Sequence, residues 1–123
     1  MTHDEAHTFA AEWAAAWNRR DIEAILAHFD ENLVFTSPTA KAVTGAGVVH
    51  GKTALRTYWT AALARLSHLH FTVERVLWDA AAQELAIIYL SETGERKRRV
   101  SENHIFGPDG LVVRAEVFHG VEE

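Results

Sequence analysis

The chain has 123 residues, 48% hydrophobic and 24% charged, with no cysteine and a formal net charge of −5. That length suits one domain, residues 1–123, around one core. The acidic balance argues against nucleic acid, whose phosphates select basic surfaces, and the lack of cysteine excludes disulfide and thiolate chemistry.

The N-terminus reads MTHDEAHTF, without the basic start and apolar stretch of a secretory signal, and no apolar run reaches the roughly 18 residues of a membrane helix. A cytoplasmic protein is expected. Thr2 followed by Glu5 is a capping-box pattern. Ala6, Phe9, Ala10, Trp13, Ala16 and Trp17 then recur at spacings of three and four, which predicts a helix to about Asn18. Asp21 is a second candidate N-cap, ahead of a short stripe at Ile22, Ile25, Leu26 and Phe29. Leu33-Val34-Phe35-Thr36 is β-rich and is stopped by Ser37-Pro38. Residues 39–51, rich in Thr, Ala and Gly, read as a long loop with a strand fragment at Val48-Val49. Leu55, Tyr58, Trp59, Ala62, Leu63 and Leu66 restore helical spacing.

From Leu69 onward the pattern is all strand: Phe71 to Trp78, Leu85 to Leu90, Arg96 to Phe106 and Leu111 to His119. Short connections rich in turn formers, Thr93-Gly94-Glu95 and Gly107-Pro108-Asp109-Gly110 among them, predict an antiparallel meander. Helices first and strands later imply an α+β fold, three N-terminal helices on one face of a curved sheet with an apolar pocket between. Leu85 to Leu90 is apolar on both parities, with Leu85, Ile87 and Tyr89 on one face and Ala86, Ile88 and Leu90 on the other. An exposed apolar sheet face is a liability, so a homodimer packed sheet to sheet is expected.

Several short motifs, in order, carry a family resemblance across about 120 residues. Trp17-Asn18-Arg19-Arg20-Asp21 looks like a helix-end N-x-x-D signature. Phe29-Asp30-Glu31-Asn32-Leu33-Val34-Phe35 looks like a passage from second helix to first strand. His50-Gly51-Lys52-Thr53-Ala54-Leu55 looks like a G-x-x-A-[IL] helix start, and Asp109-Gly110 like the closing hairpin. Together they resemble the nuclear transport factor 2-like superfamily, in its SnoaL-like, ketosteroid isomerase-like branch. The resemblance implies a cystatin-like, cone-shaped α+β barrel with a pocket at its open end. Members include isomerases, cyclases, dehydratases, epoxide hydrolases and non-catalytic binding modules, so fold alone leaves function open.

Within that resemblance Ser37 falls where the isomerases have their carboxylate base, Trp13 at the tyrosine position, and Asn103, followed by His104, at the oxyanion acid. A serine hydroxyl is no base at neutral pH, which counts against the isomerase reaction itself. With Asn103 inward, strand alternation brings Ser101 and Ile105 with it. On the last strand the register brings Ala115, Val117 and His119 inward. The candidate catalytic set is therefore His119 as proton shuttle, with Asn103 and Ser37 orienting a carbonyl or hydroxyl. The candidate ligand-binding set is Trp13, Trp17, Phe35, Tyr58, Trp59, Ile88 and Val117, whose size and apolarity suit a small hydrophobic molecule.

The remaining histidines, including the pair His68 and His70 and the i, i+4 pair His3 and His7, lack a third ligand and read as solvated rather than metal-binding. Arg96-Lys97-Arg98-Arg99 splits between two strand faces, beside Glu92 and Glu95, and reads as a solvated strand start. Three functions remain open: cofactor-free acid/base enzyme, non-catalytic binding domain, or structural dimer with a filled cavity.

Overall fold

The computed structural model describes residues 1–123. Helix α1, His3–Asn18, starts on the capping box: the Glu5 N–H donates to Thr2 Oγ1 at 3.1 Å and the Thr2 N–H to Glu5 Oε1 at 2.8 Å. Its apolar stripe is buried as the spacing requires. At its end Arg20 takes a left-handed conformation, φ 59°. Its guanidinium there donates to the carbonyls of Leu63 and Leu66, at 3.0 and 2.9 Å, where the last helix ends and leaves carbonyls without helical partners. Helix α2, Ile22–Leu26, is capped by Asp21, which accepts from the Ala24 N–H at 3.1 Å.

Strand β1, Phe29–Thr36, begins four residues earlier than its β-rich run, because the Val112 N–H bonds the carbonyl of His28 and draws Phe29 into the sheet. The expected long loop contains helix α3, Pro38–Thr44. Ser37 accepts from the Thr39 N–H at 3.2 Å as N-cap, Pro38 occupies the first helical position, and Gly45 at φ 83° ends the helix. The helices therefore number four. Strand β2, Val48–His50, and helix α4, Lys52–Ala64, follow. Strands β3, Leu69–Asp79, β4, Glu84–Thr93, β5, Arg96–Phe106, and β6, Val112–Glu122, form the meander.

The six strands make one mixed sheet in the order β2-β1-β6-β5-β4-β3, antiparallel except where β1 runs parallel to β6. Register breaks in β1, β3, β5 and β6 mark irregularities of the kind that bend a sheet around the helices. Leu85, Ile87 and Tyr89 turn toward the helices and Ala86, Ile88 and Leu90 away, as the parity of β4 requires.

On β5 the inward residues are Val100, Glu102, His104 and Phe106. The expected inward set of Ser101, Asn103 and Ile105 is therefore off by one residue. Val100 and Phe106, both buried, set the parity, and a one-residue shift flips every side chain to the other face. On the outer face the Ser101 hydroxyl donates to Asn103 Oδ1 at 2.7 Å, and the Asn103 amide donates to Glu84 Oε2 at 3.1 Å.

Candidate functional site

Sheet curvature leaves a cavity of about 410 Å³ between the inner faces of β3–β6, helices α3 and α4, and the end of α1. Its walls are mainly apolar, with Trp17, Trp59, Leu63, Leu66, Phe71 and Val117 among them. The buried polar groups on its lining are Ser37, Tyr58, Tyr89, Ser91 and Glu102. The less buried Thr93, Arg96, Arg98 and His119 stand at the open end. A volume of this size is in the range of small-molecule sites.

Strand β5 supplies the polarity of the site. At about 3.3 Å per residue and a period of two, its inward side chains follow at roughly 6.5 Å intervals. Their order from the mouth is Arg96, Arg98, Val100, Glu102 and, behind the cavity wall, His104. The strand thus runs from guanidinium to carboxylate to a fully enclosed imidazole.

Glu102 is 4% exposed and His104 0%. Glu102 Oε2 stands 2.7 Å from His104 Nε2. The contact is close, but the ring N–H is not aligned with it: neither ring nitrogen, nor that oxygen, has an aligned hydrogen-bond partner. The rings of Phe9, Trp13 and Phe29 present themselves edge-on to His104, with centroids 5.8, 6.2 and 6.0 Å away. Burying a carboxylate and an imidazole among aromatic rings costs several kcal/mol unless they are well paired. Glu102 is the one acidic side chain buried in the core, against the general rule for such groups.

The neighbouring hydroxyl responds to that carboxylate. Burial pushes Tyr58 up to about 12; the Ser37 hydroxyl pulls it down through a hydrogen bond, and the charge of Glu102 adds to the rise. Tyr58 is therefore an un-ionised donor at neutral pH. Tyr89 is held well above the usual phenol range by burial first and Glu102 second, against the opposing pull of Arg98. His119 is held below the usual imidazole range, first by burial, then by Arg98 and Arg96, so its ring is neutral at pH 7.

Of the residues singled out from sequence, Ser37, His119, Trp17, Tyr58, Trp59 and Val117 line the cavity. Asn103 does not; its side chain lies on the outer face. Ile88 is likewise on the outer face, as its own parity requires. Trp13 and Phe35 are buried behind the wall: Trp13 stacks on Phe71 at 5.6 Å and meets Tyr89 edge-on at 4.9 Å, and Phe35 meets the edge of Trp59 at 5.6 Å. Arg96, Lys97 and Arg99 are exposed, as a solvated strand start requires, whereas Arg98 is half-buried on the cavity lining and departs from that reading. Nowhere do three His, Asp or Glu side chains converge as a metal site would require. Glu102 is the residue that sequence reasoning missed. The signal was the parity shared by Val100 and Phe106, which places a carboxylate among core residues.

The model of the SnoaL-like domain matches residues 10–120. The crystal structure of a SnoaL-like protein of unknown function from Burkholderia thailandensis is 32% identical, with 98% of each chain covered and a TM-score of 0.88. A protein of unknown function with cystatin-like fold from Methylobium petroleophilum is 18% identical, with 100% of this chain and 80% of that one covered and a TM-score of 0.76. SalBIII, an epoxide hydrolase/cyclase-like enzyme of pyran ring formation in the polyether salinomycin, is also 18% identical, with 96% and 92% covered and a TM-score of 0.76. The last two likenesses show the fold alone. No protein of curated function matches the chain.

Proposed function

The chain belongs to the SnoaL-like domain family, and we propose that its cavity binds a small, mainly apolar molecule on which Glu102 transfers a proton without a cofactor. The observation that carries this reading is the buried carboxylate on a mainly apolar cavity wall that the buried Tyr58 and Ser37 hydroxyls share. In its ionised form Glu102 takes a proton from a carbon next to a carbonyl. Negative charge then grows on the carbonyl oxygen, where the Tyr58 hydroxyl, with Ser37 beside it, donates a hydrogen bond. Returning the proton to a different carbon gives an isomer. The same step serves ring closure or dehydration, according to which group accepts the electron pair.

His104, in contact with the carboxylate from behind, is a positioning residue. His119, neutral at the mouth, is placed to act as a second proton carrier.

The test is isomerisation of a bicyclic β,γ-unsaturated ketone to its conjugated isomer, followed by ultraviolet absorbance. Glu102→Gln is expected to lower turnover by roughly 10²–10⁴-fold and Tyr58→Phe by roughly 10–10³-fold, with both variants still folded. Undiminished turnover in Glu102→Gln refutes the assignment. A binding domain without chemistry is the second reading, supported by the wall of Trp17, Trp59, Leu63, Leu66 and Phe71, which needs no proton carrier to hold an apolar ligand. Ligand binding without turnover in the unaltered protein decides for it.

We also propose that the outer sheet face meets a second copy of the chain. Leu77 and Phe118, 54% and 49% exposed, lie on that face with Ile88, on β4, between their strands.

A further inference from the structure

We propose that the ligand is an apolar carboxylic acid whose carboxylate sits at the cavity mouth on Arg98, beside His119. The inference rests on the reading of the cavity as a ligand site and names the class of molecule that enters it.

Arg98 is the arginine of β5 without a partner. Arg96 is held by Glu122 at 2.6 Å, and Arg99, on the opposite face, is held by Glu74 and Glu123. Arg98 lines the cavity, and its Nε is sealed from solvent with no acceptor. The acid whose charge it feels most is Glu122, which Arg96 already holds. Glu102, on the same wall, lies four residues further along the strand, roughly 13 Å between Cα atoms, and is in contact with His104. A guanidinium on the cavity lining with no acidic partner offers its remaining N–H groups to a ligand oxygen. The depressed imidazole of His119, lowered by Arg98 and Arg96 after burial, reports the same positive field at the mouth. This spot is local, since the chain as a whole carries a net charge of −5.

Charge and shape both select a carboxylate. Arg98 leaves one positive charge unmatched, which one carboxylate balances and a phosphate dianion exceeds. The planar guanidinium fork fits the two carboxylate oxygens, and the neutral His119 ring offers a further hydrogen bond. With the carboxylate at Arg98 and Glu102 at the far end of the cavity, the reactive function of the ligand is remote from its acid group.

The experiment compares binding of decanoate with that of decanamide, its uncharged analogue of equal length, by titration calorimetry and by the fluorescence of Trp17 and Trp59. The unaltered protein is expected to bind decanoate at least about tenfold more tightly than decanamide. Arg98→Met, which keeps the apolar stem, is expected to weaken decanoate by about ten- to a hundredfold and to leave decanamide within about twofold. Arg98→Lys falls between, and decides the matter where the methionine variant does not fold. Equal affinity for the two probes overturns the inference while leaving the cavity a ligand site. A preference that survives in Arg98→Met removes Arg98 as its cause. Binding of neither probe overturns the inference and the ligand-site reading together.

Discussion

Asn18→Ala probes how the cavity wall is held in place. The Asn18 side chain accepts from the Phe71 N–H at 2.7 Å and donates to the Phe71 carbonyl at 3.0 Å. Strand β3 is an edge of the sheet, and these two bonds pair its backbone as a further strand residue would. They also fix Phe71 beside Trp17, both on the cavity wall. Alanine removes both bonds and leaves a partly buried N–H and C=O without partners. At about 1 kcal/mol per bond the loss is about 2 kcal/mol, which the better helix propensity of alanine offsets by up to about 0.7 kcal/mol. A net loss of about 1.5 kcal/mol lowers Tm by roughly 4–8 °C in a domain of this size. Urea unfolding followed by circular dichroism reads it directly. Asn18→Asp keeps the acceptor but loses the donor and sets a carboxylate against the Phe71 carbonyl, so its loss should equal or exceed that of alanine. An alanine variant within about 0.3 kcal/mol of the parent refutes the edge-pairing argument.

Replacing the buried pair with apolar residues, Glu102→Leu with His104→Leu, should leave the protein as stable or more stable by about 1–4 kcal/mol while removing turnover. A large loss in chemical denaturation contradicts the view that the pair is kept for function. Tyr58 has its folded pKa raised to about 12 from 10.0, so the stability it contributes is full below pH 10 and falls as pH rises through about 12. Tyr58→Phe should flatten that alkaline loss, and an unchanged pH dependence counts against the buried phenol. Sedimentation at micromolar concentration should show a dimer that Phe118→Lys dissociates; a monomeric parent removes the outer-face proposal.

Much of the architecture was legible because its signals are local. The capping box at Thr2 and Glu5, the stripe of α1, and the parity of β4 each depend on neighbours within a few residues. The motif at Asn18 and Asp21 was legible as a pattern, and the structure gives it a physical meaning. Asn18 seals the β3 edge and Asp21 caps α2. Helix α3 was hidden because Thr, Ala and Gly composition outweighed its signals, although Ser37, Pro38 and Gly45 spell out both of its ends.

The site was partly legible for a different reason. His119 and Ser37 reach the cavity on β6 and at the β1–α3 junction, where the register was right. Glu102 escaped because the chemistry expected of a core argues against a buried carboxylate, and Asn103 next to it satisfied the family likeness. The hydrophobic parity of Val100 and Phe106 was the stronger signal, since it rests on packing that the whole strand must obey.

Hydrogen–deuterium exchange at the activated carbon of β-tetralone, followed by proton NMR in D₂O, reports proton transfer at a carbon beside a carbonyl without knowledge of the natural substrate. The unaltered protein should accelerate exchange over buffer, and Glu102→Gln, equally folded, should return it to the buffer rate. Exchange that is as fast in Glu102→Gln as in the parent means that the carboxylate on the cavity wall is not the proton carrier.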